Sequence, residues 1–257
     1  MSTLNVTIVQ ADLLWQDAAG NRQHFTTVIE GLQAPTDLIV LPEMFTTGFS
    51  MDAPVLAETM DGDSVTWMRD MAASSNAAIC GSLIIADNQQ YFNRFICVSP
   101  AGDLQCYDKR HLFRLADEQS HYAAGAELLT FDLKDFRICP MVCYDLRFPV
   151  WSRNRGLYDL LLYVANWPER RHHAWATLLR ARAIENLCYV AGVNRTGIDG
   201  NDIPYSGGSS IIDFLGEDLA NLGDHAGTVS VELDLEKLRA FRERFAFHKD
   251  ADSFAIT

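Results

Sequence analysis

Apolar residues in this chain come in short unbroken blocks, separated by stretches where they recur every three or four positions. Leu38-Ile39-Val40-Leu41, stopped by Pro42, is the first such block, and Leu4 to Val9 before it also reads as a strand. Blocks that are apolar throughout, with no alternation, are what strands covered on both faces present. Between and after them, Asp17 to Leu32 carries Val28, Ile29 and Leu32 on one stripe, and Asp61 to Ala73 carries Val65, Met68 and Ala72 at helical spacing. Both predict helices. Further strands are predicted over Ala77 to Ile85, Phe92 to Val98 and Leu104 to Lys109, the last two joined by the turn Pro100-Ala101-Gly102-Asp103. The run Phe136 to Cys143 predicts another strand. A helix near Val150 to Gly156, a strand Leu160 to Val164, a long helix His172 to Asn186 and a strand Cys188 to Val193 follow. Ser209 to Phe214 and Thr228 to Leu233 complete the strand set. Strands interleaved with helices predict an α/β layered domain.

No Pro/Ser/Gly-rich linker, repeat or low-complexity tract interrupts this order, and Gly207-Gly208 reads as a loop. One domain is expected over 1–245, with 246–257 as a tail of mixed character, a strap or an oligomer contact. The 257 residues are 48% hydrophobic and 21% charged, the composition of a globular chain. Net charge is −13 and no Lys/Arg-rich run is present, which argues against nucleic acid and anionic membrane as partners. The start of the chain leads straight into a strand pattern, and no apolar stretch approaches the ~18 residues of a membrane span. A cytoplasmic protein with reduced cysteines is expected. Cys139 and Cys143 lack a second Cys/His pair at ligand spacing, and the adjacent His172-His173 is not the spacing of a zinc enzyme. With no Gly-rich phosphate loop either, neither metal nor organic cofactor is expected.

Three strand ends carry unusual polar residues. The first runs into Pro42-Glu43-Met44, the second delivers Lys109 in Asp108-Lys109-Arg110-His111-Leu112-Phe113, and the third delivers Cys143 before Tyr144-Asp145-Leu146-Arg147-Phe148-Pro149. Taken singly, each has a bland reading: Glu43 a solvated loop charge, Lys109 a surface basic residue, Cys143 a small buried hydrophobe. In a layered α/β domain, strand ends that enter one crevice bring such residues together. Carboxylate, ammonium and thiol are then the parts needed to cleave an amide. The glutamate moves protons, the lysine and a backbone N–H such as that of Tyr144 bind the oxyanion, and the thiol attacks.

These three segments, in this order, resemble the signatures of the nitrilase (carbon–nitrogen hydrolase) superfamily, and the resemblance spans roughly Leu4 to Phe245. It implies a four-layer α-β-β-α sandwich and a Glu-Lys-Cys triad, carried here by Glu43, Lys109 and Cys143. It further implies a second glutamate that holds and polarises the lysine. Glu118, upstream of Ala124-Gly125 where many relatives have Pro-Gly, matches that position. Cys143-Tyr144-Asp145, Tyr163-Val164-Ala165-Asn166-Trp167-Pro168 and Ala181-Arg182-Ala183-Ile184-Glu185-Asn186 are similar to the bacterial omega-amidase group. The activity implied is hydrolysis of the terminal amide of 2-oxoglutaramate or 2-oxosuccinamate, as clean-up after glutamine-dependent transaminases such as those of methionine salvage.

Such a substrate is anionic at the end away from its amide, which an arginine fork suits. Arg170 and Arg171, just after Asn166-Trp167-Pro168, and Arg195 are the candidates. Arg147 follows the nucleophile too closely to reach far and reads as structural. Trp167 and Phe113 are expected pocket walls. The rivals are an amidase acting on deaminated glutathione, or another short-chain aliphatic amidase of the same superfamily. A binding protein that keeps the fold without the chemistry is a further rival, as is a flavodoxin-like nucleotide-binding domain, for which the phosphate loop is missing. A symmetric homodimer is the default expectation for such a domain.

Overall fold

The computed structural model describes residues 2–156 and 158–256. The first half lays down β1 (Thr3–Gln10), α1 (Ala18–Glu30), β2 (Leu38–Val40), α2 (Ala53–Leu56), α3 (Asp63–Ser75), β3 (Ala78–Asp87), β4 (Gln90–Val98) and β5 (Leu104–Asp108). The second half holds β6 (Phe131–Leu133), β7 (Phe136–Val142), β8 (Leu160–Val164), α4 (His172–Asn186), β9 (Tyr189–Val193), β10 (Thr196–Ile198), β11 (Pro204–Ser206), β12 (Ser210–Ile212), β13 (Asp218–Asn221), β14 (Gly227–Asp234) and α5 (Leu235–Arg244). They form two six-stranded mixed sheets, ordered β14-β1-β2-β3-β4-β5 and β13-β12-β9-β8-β7-β6, plus the small hairpin β10-β11.

One apolar cluster lies between the sheets. It joins Leu4, Val6, Val40, Cys80 and Phe95 of the first sheet to Ile138, Leu162 and Ala191 of the second. A second cluster seals the outer face of the first sheet: Ile39, Leu41, Ile79 and Ile96 pack under Phe25 and Ile29 of α1 and Val65, Met68 and Ala72 of α3. On the far side, α4 covers the second sheet with Trp175, Leu179 and Ala183. The result is the α-β-β-α sandwich. Unbroken apolar strands follow directly, because both faces of each sheet are covered.

Close packing under α4 depends on Gly192 in β9. A Cβ there would lie 2.5 Å from Leu179 Cδ1 and 3.0 Å from Trp175. Trp175 is fully buried, and its Nε1 donates to the Gly208 carbonyl at 2.8 Å. Among the described residues no helix is long and apolar enough to cross a membrane.

The strand reading holds for the long elements, but the helix expected over Val150 to Gly156 is a sequence of turns. Gly156 adopts φ +80°, and Asn154 supplies turn bonds instead of helical ones: its Oδ1 accepts from Gly156 N at 3.0 Å. Conversely, α5 carries no apolar stripe wide enough to announce itself, because only Leu235 and Leu238 are buried. It starts where Asp234 accepts from Lys237 N at 3.0 Å, an N-cap bond.

Replacing Trp175 by alanine should cost about 3–5 kcal/mol, the range for emptying a large aromatic site. Denaturant unfolding of the variant against the parent measures it, and a loss under about 1 kcal/mol would show that α4 is not held by this side chain.

Candidate active site

Strand ends deliver the chemistry. Glu43 follows β2, Lys109 follows β5, and Cys143 follows β7. Glu43 and Lys109 are buried, and Cys143 is 9% exposed. The backbone turns sharply at the thiol: Cys143 has φ +46° and opens the 3-10 turn Cys143–Arg147. A non-glycine residue held there is strained, and such strain persists only where the surroundings over-determine it.

Asp145 supplies that determination. Its buried carboxylate accepts from Val142 N at 3.0 Å, His111 N at 2.9 Å and the Tyr107 hydroxyl at 2.8 Å, and it meets His111 Nδ1 at 2.7 Å. Tyr107 and His111 flank Lys109 in sequence. One carboxylate therefore ties the nucleophile turn of the second sheet to the lysine segment of the first. Sequence reading left Asp145 without a role; a lone acid after the thiol gives no local sign of its partners.

Lys109 is the hub of the charges. Its Nζ donates to Glu43 Oε1 at 3.0 Å and to Glu118 Oε1 and Oε2 at 2.9 and 3.0 Å, with the Phe49 ring centroid 5.1 Å away. Burial works against the ammonium, but the carboxylates of Glu118 and Glu43 outweigh it, so Lys109 stays protonated well beyond the usual lysine range. Glu118 also accepts from Phe113 N at 2.5 Å. Burial pushes the Glu118 carboxyl up; Lys109 opposes this and the charge of Glu43 adds to it. Glu43 Oε2 takes the Asn166 N–H at 2.7 Å, while Asn166 Nδ2 donates to the Glu43 carbonyl at 2.6 Å. The Cys143 Sγ lies 3.9 Å from the Asn166 carbonyl oxygen. Burial pushes the thiol well up, Glu43 adds to this, and Lys109 opposes it.

A cavity of about 440 Å³ opens over Cys143. Phe49, Phe113, Tyr144, Trp167, Arg170 and Arg171 line it. Arg171 places its guanidinium 5.0 Å from the Phe113 ring centroid. Burial, then the charge of Arg170, lowers the proton affinity of Arg171. Two arginine expectations need correction. Arg147 lines the cavity, its guanidinium 5.1 Å from the Trp167 ring centroid: the tight turn after Cys143 swings it back over the opening. Arg195 is fully buried and does not line the cavity; its Nη2 bonds Asp12 Oδ1 at 2.7 Å, and Tyr205 lies under its guanidinium. The hairpin β10-β11, unseen in the sequence pattern, contributes Tyr205, with Asp199 and Ile203 from its turn region. Its strands are only three residues each, too short for a periodic signal.

Chemically, a buried carboxylate, ammonium and thiol at the foot of an apolar-walled cavity suit acyl transfer through sulfur. The model of the carbon-nitrogen hydrolase family matches residues 5–243, and the chain belongs to that family. It is 48% identical over 257 residues to the omega-amidase YafV of Escherichia coli K12, covering all of both chains. It is 33% identical over 250 residues to the 2-oxoglutaramate amidase of Bacillus subtilis, covering 95% of this chain and 96% of that one. Among solved structures, XC1258 from Xanthomonas campestris, described as a CN-hydrolase superfamily protein with an arsenic adduct in the active site, superposes with a TM-score of 0.97. The two are 48% identical and each is covered in full.

Two outcomes follow from this geometry. Alkylation of Cys143 by iodoacetamide in the free protein should be slow at about pH 7 and still rising past about pH 9, since a raised thiol pKa leaves little thiolate at neutrality; a plateau below about pH 8 would contradict it. Asp145→Ala orphans several buried donors and should cost about 3–5 kcal/mol in denaturant unfolding, whereas parent-like stability would remove Asp145 as the tie between the sheets.

Proposed function

We propose that this chain is an omega-amidase that hydrolyses the terminal amide of 2-oxoglutaramate and 2-oxosuccinamate to the 2-oxo dicarboxylate and ammonia. The observation that carries it is the convergence of Glu43, Lys109 and Cys143 beneath a cavity that three arginines line. Cys143 Sγ forms a bond to the carboxamide carbon as Glu43 takes the thiol proton. Lys109, braced by Glu118, and the Tyr144 N–H stabilise the oxyanion. The C–N bond then breaks, and Glu43 passes its proton to the departing ammonia. A water, deprotonated by Glu43, attacks the thioester; the C–S bond breaks and the proton returns to sulfur. The high proton affinity of the buried thiol fits this order, because proton transfer and attack are coupled.

Recognition of the acid end falls to Arg147, Arg170 and Arg171. Arg147 and Arg171 lie over Trp167 and Phe113, which leaves their N–H edges for a planar carboxylate. The omega-amidase and 2-oxoglutaramate amidase names of the relatives support the same substrate class. We read the protein as a cytoplasmic homodimer of one domain. The tail, described over 246–256 with Thr257 outside the described residues, acts as a strap, with the Phe254 carbonyl accepting from Arg155 Nη1 at 3.1 Å.

Ammonia release over a panel of amides tests the proposal. Turnover of 2-oxoglutaramate should exceed that of deaminated glutathione and of neutral aliphatic amides, and Cys143→Ala should abolish it while the protein stays folded. Preference for deaminated glutathione, or activity without the sulfur, would overturn it. Arg171→Met should raise KM for 2-oxoglutaramate roughly 10- to 100-fold, the worth of a charge-assisted hydrogen bond, and leave a neutral amide nearly unchanged; equal loss on both would take Arg171 out of carboxylate recognition.

A further inference from the structure

Asn93 sits on β4, fully buried, on the same face as Phe95 and Cys97 between the sheets. Its Nδ2 donates to Glu43 Oε1 at 2.7 Å and reaches Glu118 Oε1 at 3.4 Å. Its backbone carbonyl accepts from Lys109 N at 3.0 Å. One residue thus touches the two carboxylates through its side chain and the lysine through its main chain. The amide orientation is forced: flipping it would aim Oδ1 at two carboxylates. In the orientation adopted, Oδ1 finds no donor among the described residues, an uncommon state for a buried acceptor. That local cost has a counterpart in electrostatics. A single ammonium serves both glutamates, and the positive end of the Asn93 dipole is a further source of positive potential between them.

We propose that Asn93 is a positioning residue that holds Glu43 as the proton acceptor for Cys143 and keeps Glu118 as the brace of Lys109. The inference rests on the roles given above to Glu43 and Cys143. Hydrogen bonding to a charged carboxylate favours its charged form, so losing the donor strengthens the hold of the whole cluster on its protons. Cys143 then gives up its proton less readily, and the acid limb of turnover moves to higher pH.

Two variants of similar size test this. Asn93→Leu removes the donor, and Asn93→Asp places a third carboxyl in the cluster. At about pH 8, iodoacetamide should modify Cys143 about 10-fold more slowly in Asn93→Leu than in the parent, because a smaller share of the sulfur is then ionised, and more slowly still in Asn93→Asp. The acid limb of kcat/KM should rise in the same order, with KM nearly unchanged. A purely structural role predicts loss of stability without that ordered change. Because alkylation needs no substrate, it reads Asn93 even if the amide panel shows that the substrate assignment is wrong. A folded variant with parental alkylation rate and an unmoved acid limb overturns the inference. If neither variant folds, the Asn93 side-chain NH2 signals in 15N spectra of the unaltered protein decide. They should move with pH along the Cys143 alkylation curve, and signals that stay fixed overturn it.

Discussion

One buried ammonium is shared by two buried carboxylates, and the rest of the site is arranged around that imbalance. Charge in a dry interior is tolerated only when it is paired and fully hydrogen-bonded. Lys109 meets the condition for itself with bonds to both glutamates. The glutamates then need donors from elsewhere: Asn166 N and Asn93 Nδ2 for Glu43, Phe113 N for Glu118. Burial pushes the Cys143 thiol up, and the leftover negative potential of Glu43 adds to it. In the mechanism proposed above, such a site releases the nucleophile only as the substrate carbonyl begins to take up charge beside Lys109.

The sandwich exists, from the standpoint of the site, to make that cluster possible. Glu43 and Lys109 come from one sheet and Cys143 from the other. No single helix or hairpin could bring the three together in a water-excluded place. The inter-sheet cluster supplies the exclusion, and Asp145 locks the two strand ends in register by bonding to residues on both sides of Lys109. Strain at Cys143 is held by the same carboxylate, since Asp145 also takes the Val142 N–H just before the turn.

Much of this was legible in the chain because the chemistry sits at the ends of strands. Leu41-Pro42-Glu43 and Val142-Cys143-Tyr144 each place a reactive type where a buried strand stops, Asp108-Lys109-Arg110 places one at the end of the edge strand β5, and the structure brings all three side chains to one place. What was not legible depends on tertiary direction. Arg147 looked too close to the thiol to matter, but the positive φ of Cys143 redirects the turn and lays Arg147 over Trp167. Arg195 follows a strand just as Arg170 follows a turn, and only the fold shows that it points inward to Asp12. Asn93 is an ordinary polar position within a strand pattern, and its meaning lies in partners 50 and 25 residues away. The region Val150 to Gly156 is not the expected helix because tertiary bonds hold it as turns: the buried Trp151 donates its Nε1 to the Tyr107 hydroxyl at 3.0 Å, and Asn154 Oδ1 accepts from Gly156 N.

The central claim is that Glu43, Lys109 and Cys143 work as one coupled unit. Its most direct test is a double-substitution cycle in kcat/KM for 2-oxoglutaramate with Glu43→Gln, Lys109→Met and the pair combined. Coupling predicts that the combined variant is no more than about 10-fold worse than the poorer single one, because removing either member already disables the unit. Losses that multiply, with each single variant retaining the other's full contribution, would contradict the account.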